Sequence, residues 1–161
     1  MKKGLNTSLP PGSSLPNLIT ITSPSTEREW RDYYHVRWQV LREPWGQPPG
    51  SERDEYENKS FHAMAINHDD EILGVGRLTK INPRLAQIRY MAVISDAQRL
   101  GIGSLLLKRL EHEAMAWNIK NIKLNARDSH LGFYVKHGYQ VDGAGHTLFN
   151  VITHTKVFKR L

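Results

Sequence analysis

Cysteine is absent from the 161 residues of this chain. Disulfides, thiolate-ligated zinc and a cysteine nucleophile are excluded with it, so no group-transfer reaction can pass through a thioester on the protein. No apolar run approaches the ~20 residues needed to cross a bilayer. Lys2 and Lys3 are not followed by the apolar stretch of a secretory signal. We therefore expect a cytoplasmic protein with no membrane partner. The eight histidines include no His-x-x-x-His pair, and no metal site is expected. The formal net charge is +6, yet no block of five or more basic residues occurs. Scattered charge of this kind reads as a solvated face, and nucleic acid is not an expected partner. Two phosphate-binding fingerprints are missing as well. There is no Gly-x-x-x-x-Gly-Lys-Ser/Thr run, and Leu106 stands where a dinucleotide motif places its third Gly or Ala after Gly103.

With 39% hydrophobic and 24% charged residues, the chain has the composition of one globular domain with a substantial core. Residues 1–17 are rich in Pro, Gly, Ser and Asn without periodicity and are expected to be a flexible tail, leaving 18–161 as the domain. Leu18–Thr22 alternates as a first strand ended by Pro24. Ser25 or Thr26 caps a helix with Glu27 and Glu29 in its first turn, Trp30, Tyr34, Trp38 and Leu41 on its apolar face, and Pro44 beyond its end. Phe61–Ile66 and Ile72–Leu78 read as hairpin strands around Asn67–Asp70, and Ile88–Val93 as the next strand. A helix follows with Leu106, Leu110, Ala114 and Trp117 inward and Lys108, Glu111 and Glu113 outward. Ile122–Ala126 is a fifth strand, then a short helix through Leu131–Val135 capped by Asp128 or Ser129 and closed by Gly138. Tyr139–Val141 is a strand, Gly143-Ala144-Gly145 a turn, and Thr147–Phe158 a long last strand.

Between Glu43 and Ser60 the pattern breaks and acid concentrates in Glu52, Asp54, Glu55 and Glu57. Such a rim would attract a cationic amine, and a carboxylate in it could take a proton. The plainer reading is a solvated loop paired with Arg53 and Lys59.

The most telling stretch joins a strand to a helix through Gln98-Arg99-Leu100-Gly101-Ile102-Gly103. Glycines let backbone approach an anion, and the first N–H groups of a helix lack partners within it. Gln98-x-x-Gly101-x-Gly103 after the fourth strand and Phe133-Tyr134-x-x-x-Gly138-Tyr139 after the fifth together resemble the GNAT acetyltransferase superfamily. "VLREPWG", the acidic loop, His62, "LNAR…FY" and His154 look most like its small bacterial ElaA-like branch. The resemblance covers about residues 18–161. It implies an α+β, three-layer α/β/α GNAT fold. A mixed, mostly antiparallel sheet of six to seven strands would carry helices on both faces, with the fourth and fifth strands splayed.

The resemblance further implies an acetyl-CoA-dependent N-acetyltransferase that uses no metal and acts on a small-molecule or peptide amine. Backbone N–H groups of Gln98, Arg99, Leu100, Gly101, Ile102, Gly103 and Ser104 would hold the pyrophosphate, with Arg99 available to a phosphate. Backbone atoms of Met91, Ala92 and Val93 would pair with pantetheine, one N–H polarising the thioester carbonyl. Asn125 is the available side chain on the neighbouring strand. Tyr134, with an ordinary pKa of ~10, would protonate the leaving thiolate. Glu55, Glu57 and His62 are candidate bases by position, and His154 is a further one. Two alternatives stay open: a non-catalytic acyl-CoA-binding regulatory module, and an RNA-directed acetyltransferase suggested by charge alone. A homodimer is also left open.

Overall fold

Alternating apolar segments do form strands in the computed structural model of the protein, which describes residues 18–161. The expected tail, 1–17, lies outside the described residues. The strands are β1 (Thr20–Thr22), β2 (Ser60–Ile66), β3 (Ile72–Asn82), β4 (Leu85–Val93), β5 (Asn121–Arg127), β6 (Gln140–Leu148) and β7 (Ile152–Arg160). They form one sheet in the order β1-β2-β3-β4-β5-β7-β6, in which only the β4–β5 pair is parallel. The helices are α1 (Glu27–Leu41), α2 (Ile102–Ala116) and α3 (Leu131–Lys136). The mixed sheet with helices on both faces matches the expected fold class.

The period-2 alternation of β3 separates the two layers. Val75 faces α1, where Tyr33, Tyr34, Val36, Leu41, Met64 and Ala92 form one apolar cluster. Gly74 and Gly76 face α2. A Cβ on Gly74 would stand 3.0 Å from the Ile102 and Leu106 side chains, so α2 rides close to the sheet because no side chain intervenes. Leu106, Leu107, Leu110 and Ala114 of α2 are fully buried there.

Thr26 is the N-cap of α1: its side chain accepts from the Glu29 N–H at 3.1 Å. The buried face of α1 differs from the expected one. Tyr33 and Arg37 are fully buried, while Trp38 is only partly so. The reason is an ion network beneath the helix. Arg37 Nη1 donates to both oxygens of Glu57, at 2.8 and 2.9 Å, and Arg37 Nη2 donates to Tyr33 Oη at 2.9 Å. Arg77, buried in β3, donates to Glu57 and to both oxygens of Asp54 at 2.6–3.0 Å, and Arg89 reaches Asp54 at 3.1 Å. Glu52 is also buried, and accepts from the Gly50 N–H at 2.6 Å.

The acidic loop is therefore not a solvated rim waiting for an amine. Of its four acids only Glu55 is exposed without a partner among the described residues. Asp54 and Glu57 fasten the loop to α1 and the sheet, and the Glu52 carboxylate closes a turn within it. Burial alone would raise the carboxyl pKa of Glu57, but Arg37 and Arg77 outweigh it and hold the group below its ordinary 4.5. Asp54 behaves likewise against Arg77 and Arg89.

Three further expectations need correction. Glu111 of α2 does not face solvent: it is buried, receiving bonds from Lys159 Nζ at 2.8 Å and Tyr139 Oη at 3.4 Å. Asp128 does not cap α3, because its carboxylate takes the Thr155 hydroxyl at 2.7 Å. The last turn lies not at Gly143–Gly145 but at Phe149 and Asn150, both with positive φ. Gly143, at φ 110, instead serves an irregularity inside β6, where register slips between Val141 and Ala144.

Removing one partner of the network exposes its cost. Glu57→Gln should lower unfolding free energy by about 3–5 kcal/mol, measured by urea denaturation, because two buried guanidiniums lose their shared counterion. His62, Glu57 and Asp54 all have folded pKa values below their ordinary 6.5, 4.5 and 3.8. The unfolded chain therefore takes up protons first as pH falls. Stability should be level above about pH 6.5, decline below it through His62, and fall more steeply below about pH 4.5. Glu57→Gln should flatten the lower limb.

Candidate active site

The parallel pairing of β4 with β5 covers only Leu85–Gln87 against Asn121–Lys123. Beyond Gln87 the strands part, and a cleft of about 620 Å³ opens between them. Its walls include Met91, Ala92 and Val93 of β4, Leu124, Asn125 and Arg127 of β5, the loop Gln98–Ser104, and Phe133 and Tyr134 of α3.

A bulge re-aims β4 at the mouth of this gap. Val75 pairs with Ala92 and Arg77 with Arg89, so Gly76 opposes both Tyr90 and Met91. Tyr90 has φ 56, a left-handed conformation that costs energy in a residue with a large side chain.

At the end of β4 a single 3-10 turn, Ser95–Ala97, leads to the glycine loop. Arg99 and Gly101 both have positive φ, 72 and 77, which turns successive N–H groups to one side. The first backbone bond of α2 runs from the Leu105 N–H to the Gly101 carbonyl at 3.1 Å. The Gln98 N–H, expected in the cradle, is instead bonded to the Ser95 carbonyl at 3.3 Å. Among the described residues those of Arg99 to Ser104 have no carbonyl partner, and they gather at the positive end of a 15-residue helix. This is a fitting cradle for a diphosphate. Gly103 serves a separate need: a Cβ there would lie 3.3 Å from the Phe133 ring, so its bare backbone lets α3 dock. The Ser104 hydroxyl, 2.9 Å from His137 Nε2, ties the same two helices, and His137 Nδ1 donates to the Phe133 carbonyl at 2.7 Å.

Tyr134 reaches across the gap. Its ring is buried and its hydroxyl lies 3.7 Å from Met91 Sδ, its one hydrogen-bond contact among the described residues. Burial pushes its pKa up to about 12, against a smaller opposing pull from Arg127. The phenol is thus protonated at neutral pH with its proton lightly held in place.

The candidate bases lie elsewhere. Neither Glu55, Glu57 nor His62 lines the cleft; Glu57 and His62 line a separate recess with Trp30 and Tyr34. The two ring nitrogens of His62 are occupied: Nε2 donates to the Glu57 carbonyl at 2.8 Å, which leaves Nδ1 to accept from the Tyr33 hydroxyl at 2.9 Å. Burial lowers its pKa. His154 does line the cleft, together with His130 and His146. Sequence reasoning missed these last two, along with Arg42, Arg89, Tyr90 and Arg127. Arg127 was visible in the "LNAR" string and Arg42 in "VLREPWG", whereas nothing in the sequence marks His146 as a cleft residue.

Comparison with known proteins agrees with this geometry. The profile of the acetyltransferase (GNAT) family matches residues 30–139, and the chain belongs to that family. The uncharacterized N-acetyltransferase YjcF of Bacillus subtilis is 28% identical over 133 residues, which cover 83% of this chain and 94% of that protein. A GNAT acetyltransferase from Elizabethkingia anophelis, solved with acetyl-CoA bound, superposes with a TM-score of 0.67 at 17% identity, covering 89% of this chain and 98% of that one. Escherichia coli ElaA gives 0.72 at 15% identity, covering 88% and 99%. The chain is accordingly an acetyl-CoA-dependent acyltransferase. Among the described residues no group of side chains is arranged to hold a metal ion, and no helix is long and apolar enough to cross a membrane.

Gly101→Val tests the cradle. A branched side chain at φ 77 costs about 1–2 kcal/mol. Turning the N–H groups away should weaken acetyl-CoA binding about ten- to a hundredfold by calorimetry, as for one or two lost bonds to a charged group.

Proposed function

We propose that the chain acetylates a primary amine by direct attack on acetyl-CoA within a ternary complex, with Tyr134 as general acid. The observation that carries this reading is the Tyr134 hydroxyl, buried in the β4–β5 gap with its pKa pushed up to about 12 and no stronger acceptor than Met91 Sδ. The absence of cysteine leaves no thiol to carry the acetyl group.

The amine nitrogen attacks the thioester carbonyl carbon, the carbon–sulfur bond breaks, and sulfur takes the Tyr134 proton. Backbone N–H groups of Met91 and Val93, which alternate with those of Ala92 and Ile94 on the β3 side, face the gap and polarise the carbonyl oxygen. The amine attacks in its neutral form and then gives up one proton through water to an imidazole of the cleft, and the Tyr134 phenolate regains a proton from solvent before the next turnover. His146 is kept largely neutral there by burial, by His154 beside it and by Arg89. The His146 and His154 rings stack at 4.4 Å, which holds the His146 imidazole in place on the cleft wall. His146 and His154 replace Glu55, Glu57 and His62 in this role because they line the cleft. The acceptor is a small molecule or a peptide end that enters opposite the cofactor loop.

Tyr134→Phe should lower kcat about 10²–10⁴-fold with the KM for acetyl-CoA little changed, read by thiol release in the presence of an amine. An unchanged kcat would remove Tyr134 as the acid. Acetyl-CoA binding without thiol release on any amine would instead mark a non-catalytic acyl-CoA module.

A further inference from the structure

The α1 side of the cleft carries positive charge that the protein leaves uncompensated. Arg37, Arg77 and Arg89 are met by Glu57 and Asp54. Arg42 and Arg127 form no ion pair with a carboxylate among the described residues; Glu52 acts on Arg42 only from a distance, against the repulsion of Arg89 and Arg37. Arg42 donates only to main-chain carbonyls, to Ser51 at 3.1 Å and Leu41 at 2.9 Å. Residues 1–17 contain no Asp or Glu, so they supply no counterion either. Of the acids next to them in sequence, Asp128 is turned to Thr155 and Glu43 is exposed and pairs with neither among the described residues.

These two guanidiniums are held, not free. The Arg127 group lies 4.7 Å from the Trp45 ring, the Arg42 group 5.5 Å from Phe149 and 5.7 Å from Tyr90, and Trp45 stacks on Phe149. Aromatic faces fix planar cations without neutralising them. Both groups are only partly exposed and line the cleft with His130, His146 and His154. Arg127 alternates on β5 with the buried Leu124 and Ala126, which pack under α2. It therefore projects to the α1 face, opposite the layer whose helix begins at the cofactor loop. Burial and mutual repulsion both oppose holding this pair of charges together, and an anion between them would relieve the cost.

We propose that the acceptor is an amine carrying an anionic group, a carboxylate or phosphate, which Arg42 and Arg127 bind between the Trp45–Phe149 stack and Tyr90 while the amine reaches the thioester. The inference rests on the acetyl-transfer reading above and reverses the expectation of a cationic acceptor drawn to an acidic loop. Two of those acids, Asp54 and Glu57, are spent on Arg37, Arg77 and Arg89.

Matched amines test it: γ-aminobutyrate against butylamine, phosphoethanolamine against ethanolamine, and putrescine as a dication. The anionic member of each pair should show kcat/KM at least about tenfold higher, the equivalent of one charge-assisted contact. Arg127→Gln and Arg42→Gln should each remove that preference through the acceptor KM, with the acetyl-CoA KM within about twofold of the parent. Preference for butylamine or putrescine would overturn the inference. So would a rise in the acetyl-CoA KM alone, which would assign the guanidiniums to coenzyme A phosphates. A second arm is independent of turnover: calorimetric titration of the CoA-loaded protein with N-acetyl-γ-aminobutyrate against N-butylacetamide. Binding of the anion that Arg127→Gln abolishes upholds the anion site even if no amine is acetylated, which would sink only the transfer reading. No binding of the anion removes the site even if the enzyme is active.

Discussion

The parting of β4 from β5 is the constraint on which the other features depend. Adjacent parallel strands ordinarily satisfy each other's backbone groups, and here that stops after three residue pairs. The edge left open is kept apart from both sides. On one side the bulge at Tyr90 twists β4 away; on the other, Phe133 and Tyr134 of α3 wedge against Gly103 and Met91. An extended chain with its own amide groups, such as pantetheine, fits the gap as a strand would. The same parting brings the end of β4 to the start of α2, so the N–H cradle and the buried phenol face one channel.

The second determinant is charge pairing on the α1 face. Buried arginine pairs rarely add net stability relative to apolar packing, and the Nε atoms of Arg37 and Arg77 have no acceptor among the described residues. What the network provides is placement. Glu57 and Asp54 lock the long loop between α1 and β2, and four guanidinium groups, from Arg37, Arg42, Arg77 and Arg89, surround the Tyr90 ring at 4.4–5.7 Å. By taking up the local carboxylates it also leaves Arg42 and Arg127 as the uncompensated charges of the cleft. Fold support and acceptor chemistry are linked through this division of ion pairs.

Features set by backbone requirements were legible in the sequence. Gly101 has a positive φ, Gly103 leaves room for Phe133, and Tyr134 recurs at a fixed distance before Gly138; each is a local demand written in one residue type. The strands from β1 to β5 were legible by alternation. What escaped depends on partners far apart in the chain. Glu57 reads as surface acid until Arg37 and Arg77, each 20 residues away, are seen beneath it. A lone arginine inside the apolar run Ile72–Leu78 was the available clue, since a charge there must be paired. The β6–β7 turn was misplaced because Gly143-Ala144-Gly145 looks like a turn, while Asn150, the better marker, follows a Phe that adopts positive φ only through tertiary contact. Tyr90 carries no sequence sign of its bulge.

Amide hydrogen exchange with and without acetyl-CoA tests the central claim most directly. The N–H groups of Arg99 to Ser104 and of Met91 and Val93 should exchange more slowly by about tenfold or more in the complex, since they change from open to bonded. Protection confined to other segments, with these two stretches unchanged, would contradict the assignment of the β4–β5 gap and its glycine loop as the cofactor site.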